Sequence, residues 1–523
     1  MFPRASSLAL VLLGCAGLAP ALPIRAQLSE GRLAPAGRLR LEVSQTFDLW
    51  SNRFGIHPEG TGDVAGAEPL GFDLERSPLP LAPLEQGLRT ALGSPSLKLE
   101  LGSMRALVAH DRTRIAFGAA LGVFEWLTLG ASVPIVRART EIAVDLLPTA
   151  DASVGASPKL TGDGSVTGFL SSLAASRSAL QAQVAQRCPA AADCVALTDL
   201  LGRYTSFATG LTAAYNGSPL FVTGTSAAGV ALRQRLAALR AELAQRAPAV
   251  PRPGDAPLAK APLDVEGLAQ LLVDPAAGYQ LLLPISTDPG SWQIDDVEVS
   301  AAIRLLRGGA PDSTGAAPFR YLVGAQALAR LPTGHTDSPD IPFDVGGGDG
   351  QLDLDGGAFT DLRWTRVGVR AEAHYGVQRG TELVRRVAPP DVVFAPLDTR
   401  TLVRWTPGSY QSFEANPAWY LTDELALGGV YRLWSKQADT YEAIGSGDPS
   451  VLERETGGTL HEIGAGLAFS TLTAWREGRA PLPFEVHLAV RRGIAGSGGA
   501  VPKGTRMEAT GRVFWRLWGA NPL

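Results

Sequence analysis

The sequence predicts an all-β protein: a transmembrane antiparallel up-and-down β-barrel of about twelve strands, with a mainly helical insertion in an outer loop. Three observations point there. Runs of strict period-two alternation recur along the chain, and side chains that leave opposite faces in turn are the mark of a strand. The connections between those runs alternate between short and long, as the two ends of an outer-membrane barrel do. Beyond the N-terminal stretch no run of about 18 apolar residues occurs, so no spanning helix is expected.

Composition agrees with this class. Length alone, 523 residues, would suggest roughly three domains of ~150 residues, but closed all-β structures run long as single units. The 47 basic and 51 acidic residues nearly cancel, which excludes a field suited to gripping nucleic-acid phosphates. Abundant Gly and ten Trp suit strands, turns and interfacial girdles.

Residues 1–26 carry a positive charge at Arg4, an apolar run from Ala5 to Leu13 and small-residue exits near Ala19-Pro20-Ala21. This is a secretory signal peptide and stands outside the fold. In an exported chain Cys188 and Cys194 can pair, and a disulfide stapling a local loop is expected, with two free thiols as the alternative.

The first part of the barrel is assigned to residues 27–144. Leu39, Leu41, Val43, Phe47 and Leu49 share one face, with Arg40, Glu42, Ser44, Thr46 and Asp48 on the other. Residues 51–98, rich in Gly, Pro and acid, read as a long loop. A hairpin follows, with Ile115, Phe117, Ala119 and Leu121 on its outer face, a tight turn at Phe124, and Leu127, Leu129, Ala131 and Val133 beyond it.

Residues 145–290 break the pattern. Leu232, Leu236, Leu239 and Leu243 fall at helical spacing, and Leu170, Leu173, Leu180 and Val184 do so less cleanly. A helical pair joined through residues 188–194 and a Pro-rich linker over 247–262 are expected.

Alternation returns over residues 291–523, at 293–307, 318–331, 357–364, 367–379, 401–419, 425–437, 458–472, 482–493 and 505–518. With both termini at the short-turn end the count must be even, and twelve fits. Fourteen would need a hidden hairpin, for example near residues 271–285. Trp405, Trp419, Tyr420, Tyr431, Trp434, Trp475, Trp515 and Trp518 lie near strand ends, as a girdle requires. The aromatic-rich last strand, residues 513–518, looks like a signal read by the barrel-assembly machinery.

Three stretches together carry a family resemblance: residues 121–134 (LGVFEWLTLGASVP), Asp295-Asp296-Val297-Glu298-Val299 and Leu331-Pro332-Thr333-Gly334. They resemble the outer-membrane family named for the meta-cleavage pathway of phenol degradation. The resemblance implies a transporter-like barrel in the bacterial outer membrane that passes small, often hydrophobic compounds.

No catalytic signature is present: no Gly-x-Ser-x-Gly elbow, no His-Glu-x-x-His and no phosphate-cradling loop. The chain is therefore read as a non-enzyme with no cofactor. Its expected partners are the outer-membrane bilayer, the assembly machinery and a small-molecule solute. Asp349, Asp353 and Asp355, set among glycines, are a weak Ca²⁺ candidate. They lack the spacing and terminal Glu of an EF-hand, so an acidic solvated loop is the preferred reading.

The lumen remains. Alternation turns Arg40, Glu42, Arg114, Glu298, Arg304, Arg370, Glu372, His374, Glu414, Asn416, Arg432, Glu485, His487, Arg491, Glu508 and Arg512 inward. With both signs at similar depth, the expectation is a narrow lumen crossed by Arg–Glu pairs, with the insertion as a candidate obstruction. The function that follows is passive diffusion of small, hydrophobic or aromatic molecules through an outer-membrane channel. The alternative is a structural or binding barrel that displays an extracellular helical insertion.

Overall fold

The structure is a computed structural model that describes residues 32–55, 68–69, 72–74, 79–147, 153–188, 192–282, 290–309, 319–341, 350–389, 392, 394–445, 447–498 and 501–519. The signal peptide assigned to residues 1–26 lies outside the described residues.

Twelve strands form the barrel: β1 Arg38–Phe54, β2 Ser103–Phe124, β3 Leu127–Leu147, β4 Glu298–Gly308, β5 Phe319–Arg330, β6 Asp353–Trp364, β7 Val367–Gln378, β8 Tyr410–Tyr420, β9 Leu425–Lys436, β10 Gly458–Ser470, β11 Phe484–Ser497 and β12 Val501–Arg516. Each pairs antiparallel with the next. β12 then pairs with β1 from Arg38↔Arg516 to Phe54↔Val501, and the ring closes. Closure leaves no open edge, which a sheet in hydrocarbon could not tolerate. The count is twelve, because the pairings close into a ring of twelve, and residues 271–277 of the candidate extra hairpin are helical rather than strand.

One expected strand divides. Over residues 401–419, the segment Arg400–Thr406 joins Thr381–Arg386 and Thr440–Ala443 in a separate three-stranded sheet, and the barrel strand begins only at Tyr410. Pro407 and Gly408 supply the break: proline has no ladder donor, and the Gly408 N–H is taken by Asp439 Oδ1 at 2.8 Å.

The surface inverts that of a water-soluble protein. Leu41, Val43, Phe117, Leu129, Leu305, Ile463, Val490 and Val513 are exposed on the outer wall, whereas Asp361, Arg363, Glu372, Glu462 and Glu485 are buried. In a two-layer sandwich the apolar faces would be the covered ones. Phe124, Trp126, Trp364, Trp419, Trp515 and Trp518 form an exposed aromatic ring near the short-turn end. Other girdle candidates have different places. The Arg363 guanidinium lies 3.5 Å from the Tyr420 ring centroid, Arg38 covers Trp475, and Trp405 bonds Asp439 in the separate sheet. A closed barrel with a lipid-facing apolar wall and a charged interior is built for the bacterial outer membrane, and that is where the protein resides.

Connections 125–126, 365–366 and 421–424 lie at one end, with the longer 471–483; the other end carries most of the long connections, together with the short one at 498–500. There β2 and β3 run on as a ribbon whose Met104, Ala106, Val108 and Leu146 are buried beneath a helical body: α1 Ala82–Leu92, α2 Ser165–Arg187, α3 Cys194–Gly217, α4 Ala227–Arg246 and α5 Val265–Val273. The α4 stripe Leu232, Leu236, Leu239 and Leu243 is fully covered, as are Leu173 and Leu180 of α2. Cys188 and Cys194 form a disulfide between α2 and α3, their Cα atoms 5.3 Å apart.

The body draws on more than its own insertion. α1 belongs to the segment read as a loop, and it crosses α3 where two glycines meet. A Cβ on Gly210 would lie 2.5 Å from the Ala91 nitrogen and from the Gly87 oxygen. Residues 247–262 are no free linker either: Val250 and Ala256 are buried, and the Ser176 and Tyr215 hydroxyls donate to the carbonyls of Pro251 and Pro257 at 2.6 and 2.5 Å.

Arg386 fastens this body to two further loops. It donates to the carbonyls of Tyr279 at 2.7 Å and Ala395 at 2.8 Å, and pairs with Asp340 at 2.8 Å. Phe394, from the loop after β7, is buried in the helical core. Burial pushes the Tyr279 hydroxyl up to about 12, so this seam stays neutral at the phenol.

Gly210→Val forces α1 and α3 apart, and a cost of about 1–3 kcal/mol is expected from overpacking. Limited proteolysis should then cut the helical body faster than in the wild type, while the barrel keeps its heat-modifiable migration in gels. Equal cleavage rates would contradict the close crossing.

Candidate lumen and its occluding segment

Because strand side chains alternate, each charged row on the inner wall has a lipid-facing row behind it. Among the described residues, two cavities lie inside on either side of a belt of ion pairs. The first, about 410 Å³, lies towards the long-loop end and is lined by Arg40, Glu42, Arg114, Glu298, Glu372, His374, Glu414 and Arg432 of the sequence-derived set. Arg114 pairs with Glu298 at 2.9 Å and with Asp295 at 3.0 Å. His374 Nδ1 lies 2.7 Å from Asp355, which also accepts from the Tyr410 hydroxyl at 3.0 Å. Arg432 meets Glu462 at 2.9 Å.

The belt runs around the wall. Arg512 binds Glu42 at 2.6 Å. Arg491 reaches Glu508 at 2.8 Å, Glu414 at 3.4 Å and Glu462 at 3.7 Å. Arg370 binds Asp361 at 2.6 Å. Pairing is what lets so many ionisable groups sit in an enclosed interior, since a lone buried charge costs several kcal/mol of lost hydration.

Below the belt, by the short-turn mouth, is the second cavity of about 250 Å³, lined by Arg370, Asn416 and His487 among others. Glu485 is completely buried behind it and accepts from Ser470 Oγ at 3.2 Å. Arg304 lines neither cavity; it lies towards the mouth, 3.9 Å from Glu125 of the β2–β3 turn.

Among the described residues, the helical insertion sits at the long-loop end and the segment inside the lumen is residues 32–36. Gly37 makes the turn into β1: its φ is +73°, and a Cβ there would meet the Trp518 oxygen at 2.3 Å. Upstream, the Ala34 N–H donates to Thr128 Oγ1 at 2.8 Å. Leu33 packs on the inward Phe359, Ala302 and Leu322. The Arg32 guanidinium closes on the Glu372 carboxylate through two nitrogens. The wall is shaped for this: a Cβ on Gly122 would lie 2.0 Å from the Pro35 oxygen.

The three stretches that carry the family resemblance do local work. The hairpin over 121–134 seats the N-terminal segment through Gly122 and Thr128. The other two bind each other, with Asp296 Oδ1 accepting the N–H groups of Thr333 at 3.1 Å and Gly334 at 2.8 Å, and the Val297 N–H reaching Thr333 Oγ1 at 2.9 Å.

Two of the three residues of the weak Ca²⁺ candidate are described. Asp353 and Asp355 stand in β6, not in a loop, and are engaged by Gln378 and Arg330 and by His374 and Tyr410. Asp349 lies outside the described residues. Sequence reading missed Arg32, Asp361 and Glu462. Asp361 and Glu462 share their strands' inward faces, so alternation could have found them. Arg32 precedes every strand and gave no signal.

No family model matches the chain, and no curated protein matches it. Among solved structures, the COG4313 outer membrane channel from Pseudomonas putida F1 aligns over 94% of this chain and 99% of its own, at 6% identity and a TM-score of 0.42. The Ralstonia pickettii toluene transporter TbuX aligns over 93% and 90%, at 10% identity and 0.25. The P. putida toluene transporter TodX aligns over 93% and 92%, at 11% identity and 0.24. At these values the fold assignment rests on the barrel's own closure and register.

Removing the carboxylate that holds Arg32 should release the segment. Glu372→Ala is expected to raise single-channel conductance in planar bilayers several-fold over wild type, and Arg32→Ala should do the same. Conductance unchanged in both variants would mean that the ion pair does not hold the lumen shut.

Proposed function

We propose that the protein is a passive outer-membrane channel for small, largely apolar molecules, aromatic ones included, as the sequence resemblance implies. The observation that carries this is a closed barrel whose interior is divided into solute-sized cavities by an ion-pair belt and a five-residue segment. A wide water-filled pore would favour bulk hydrophilic solutes, whereas this interior offers two small compartments in series. The proposal assigns the chain no catalytic step. It gives the inward charges of both cavities the task of lining the solute's route.

A second reading, a binding barrel that displays the helical body outside the cell, draws on the extent of that body's own core, from Leu79 through Phe394. Reconstitution separates the two. Purified protein in liposomes should accelerate uptake of a labelled monoaromatic compound over empty liposomes, with rate linear in the gradient. Deleting residues 150–288 should preserve or increase that rate. Neither uptake nor conductance steps in either form would overturn the channel and leave the display reading.

A further inference from the structure

We infer that the Glu372 carboxylate and the apolar gap beside it form a binding site for a small organic cation, an amidinium or guanidinium joined to an apolar group, and that Arg32 and Leu33 occupy this site as the chain's own stand-in. The inference rests on the channel reading above and deepens it, by naming the class of molecule that takes the segment's place.

Other carboxylates of the inner wall find their close cations in the wall itself. Glu42 has Arg512 at 2.6 Å, Glu462 has Arg432 at 2.9 Å and Glu508 has Arg491 at 2.8 Å. Glu372 does not. The neighbouring inward arginine of its own strand, Arg370, is bound to Asp361 at 2.6 Å. His374 has its Nδ1 2.7 Å from Asp355 and its Nε2 2.8 Å from Gln326, which leaves Glu372 at 3.5 Å. The close cation at Glu372 is Arg32, which belongs to no strand: its Nε donates to Oε1 at 3.2 Å and its Nη2 to Oε2. A planar cation that offers two N–H donors to one carboxylate is a geometry an amidinium shares with a guanidinium.

The site opens on the first cavity. Arg32, Glu372 and Ala302 all line that space of about 410 Å³, and 45% of the Arg32 side chain is exposed against 9% of Glu372. The cation therefore stands on the cavity side with the carboxylate behind it, where a solute in the cavity can exchange with it. Beside this pair Leu33 fills the gap over Ala302, Leu322 and Phe359. The two side chains together outline the ligand: one planar cation and one apolar group between a leucine side chain and a phenyl ring in size.

Charge selects among solutes. If Arg32 left with nothing in its place, Glu372 would be an uncompensated charge in an enclosed interior, the unfavourable half of a broken pair. A neutral molecule does not cure that, and an anion makes it worse. Exchange of one cation for another keeps the pair and frees the segment. Arg32 competes from within the chain, where a short tether gives an effective concentration on the order of millimolar, so the wild type should bind such a ligand weakly and a chain without the tethered cation tightly.

The test uses the full chain in phosphatidylcholine nanodiscs, with empty nanodiscs as the partition blank, and p-aminobenzamidine and its neutral isostere p-aminobenzamide as fluorescent probes. Arg32→Ala/Leu33→Ala empties the site without touching the wall. It should bind p-aminobenzamidine at least about tenfold more tightly than wild type, since a site occupied by its own segment about nine-tenths of the time weakens the observed affinity by that factor. Adding Glu372→Gln to that variant should abolish the gain, and p-aminobenzamide should show no gain in any form. Heat-modifiable migration confirms the folded barrel in each. Equal amidine affinity in wild type and the emptied variant, a gain that survives Glu372→Gln, or the same gain with p-aminobenzamide would each overturn the site. Liposome uptake of a neutral monoaromatic compound reports separately: uptake without the amidine gain overturns the site and leaves the channel, whereas the gain without uptake or conductance steps overturns the channel and leaves a cation site in a closed barrel.

Discussion

Everything in this fold depends on the pairing of β12 with β1. A bilayer offers no water to an open strand edge, so an array of eleven ladders would leave two rows of unmet N–H and C=O groups at several kcal/mol each. The twelfth ladder removes both rows at once. It also brings Gly37 against Trp518, where Leu517 and Trp518 donate to the Gly37 carbonyl, and residues 32–36 run from that turn into the barrel.

The interior follows from that closure. Once alternate side chains face lipid, the rest face inward, and ionisable groups there must find partners at short range. Arginine suits the task because its planar fork can serve several carboxylates together, as Arg491 does with Glu414, Glu462 and Glu508. The N-terminal segment enters the same network. Arg32 fills the place of one more wall cation at Glu372, and Leu33 takes the apolar gap over Phe359 that no wall side chain fills.

Much of this was legible from sequence, for a physical reason: a strand with one lipid-facing and one polar face writes its period plainly, and all twelve barrel strands lie where alternation occurs. Boundaries failed where another force took over. β2 and β3 outrun the membrane because the first residues of β2 and the last of β3 pack under helices, so the alternation near Ala106 and Val144 serves a different core. β6 begins at Asp353, earlier than expected, because Gly356 and Gly357 sit within the strand and read as a turn. α1 was hidden in a Gly- and Pro-rich stretch although Leu84 and Leu88 keep helical spacing, and its purpose shows only against α3. Arg32 and Glu372, 340 positions apart, share no local pattern at all.

The helical body and the N-terminal segment divide the two ends of the barrel between them. At the long-loop end Arg386 draws backbone carbonyls and Asp340 into one seam, where the donors are many and buried. At the short-turn end the described residues 32–36 meet the Glu372 carboxylate, the Thr128 hydroxyl and the small apolar contact of Leu33 with Phe359. Stability against opening scales with what must be unmade. The body has some forty buried side chains in one core, whereas the described residues 32–36 are tied down by far fewer contacts. On the proposed channel reading, the lighter attachments therefore lie at the end facing away from the long loops, and a solute would meet them there rather than in the helical body.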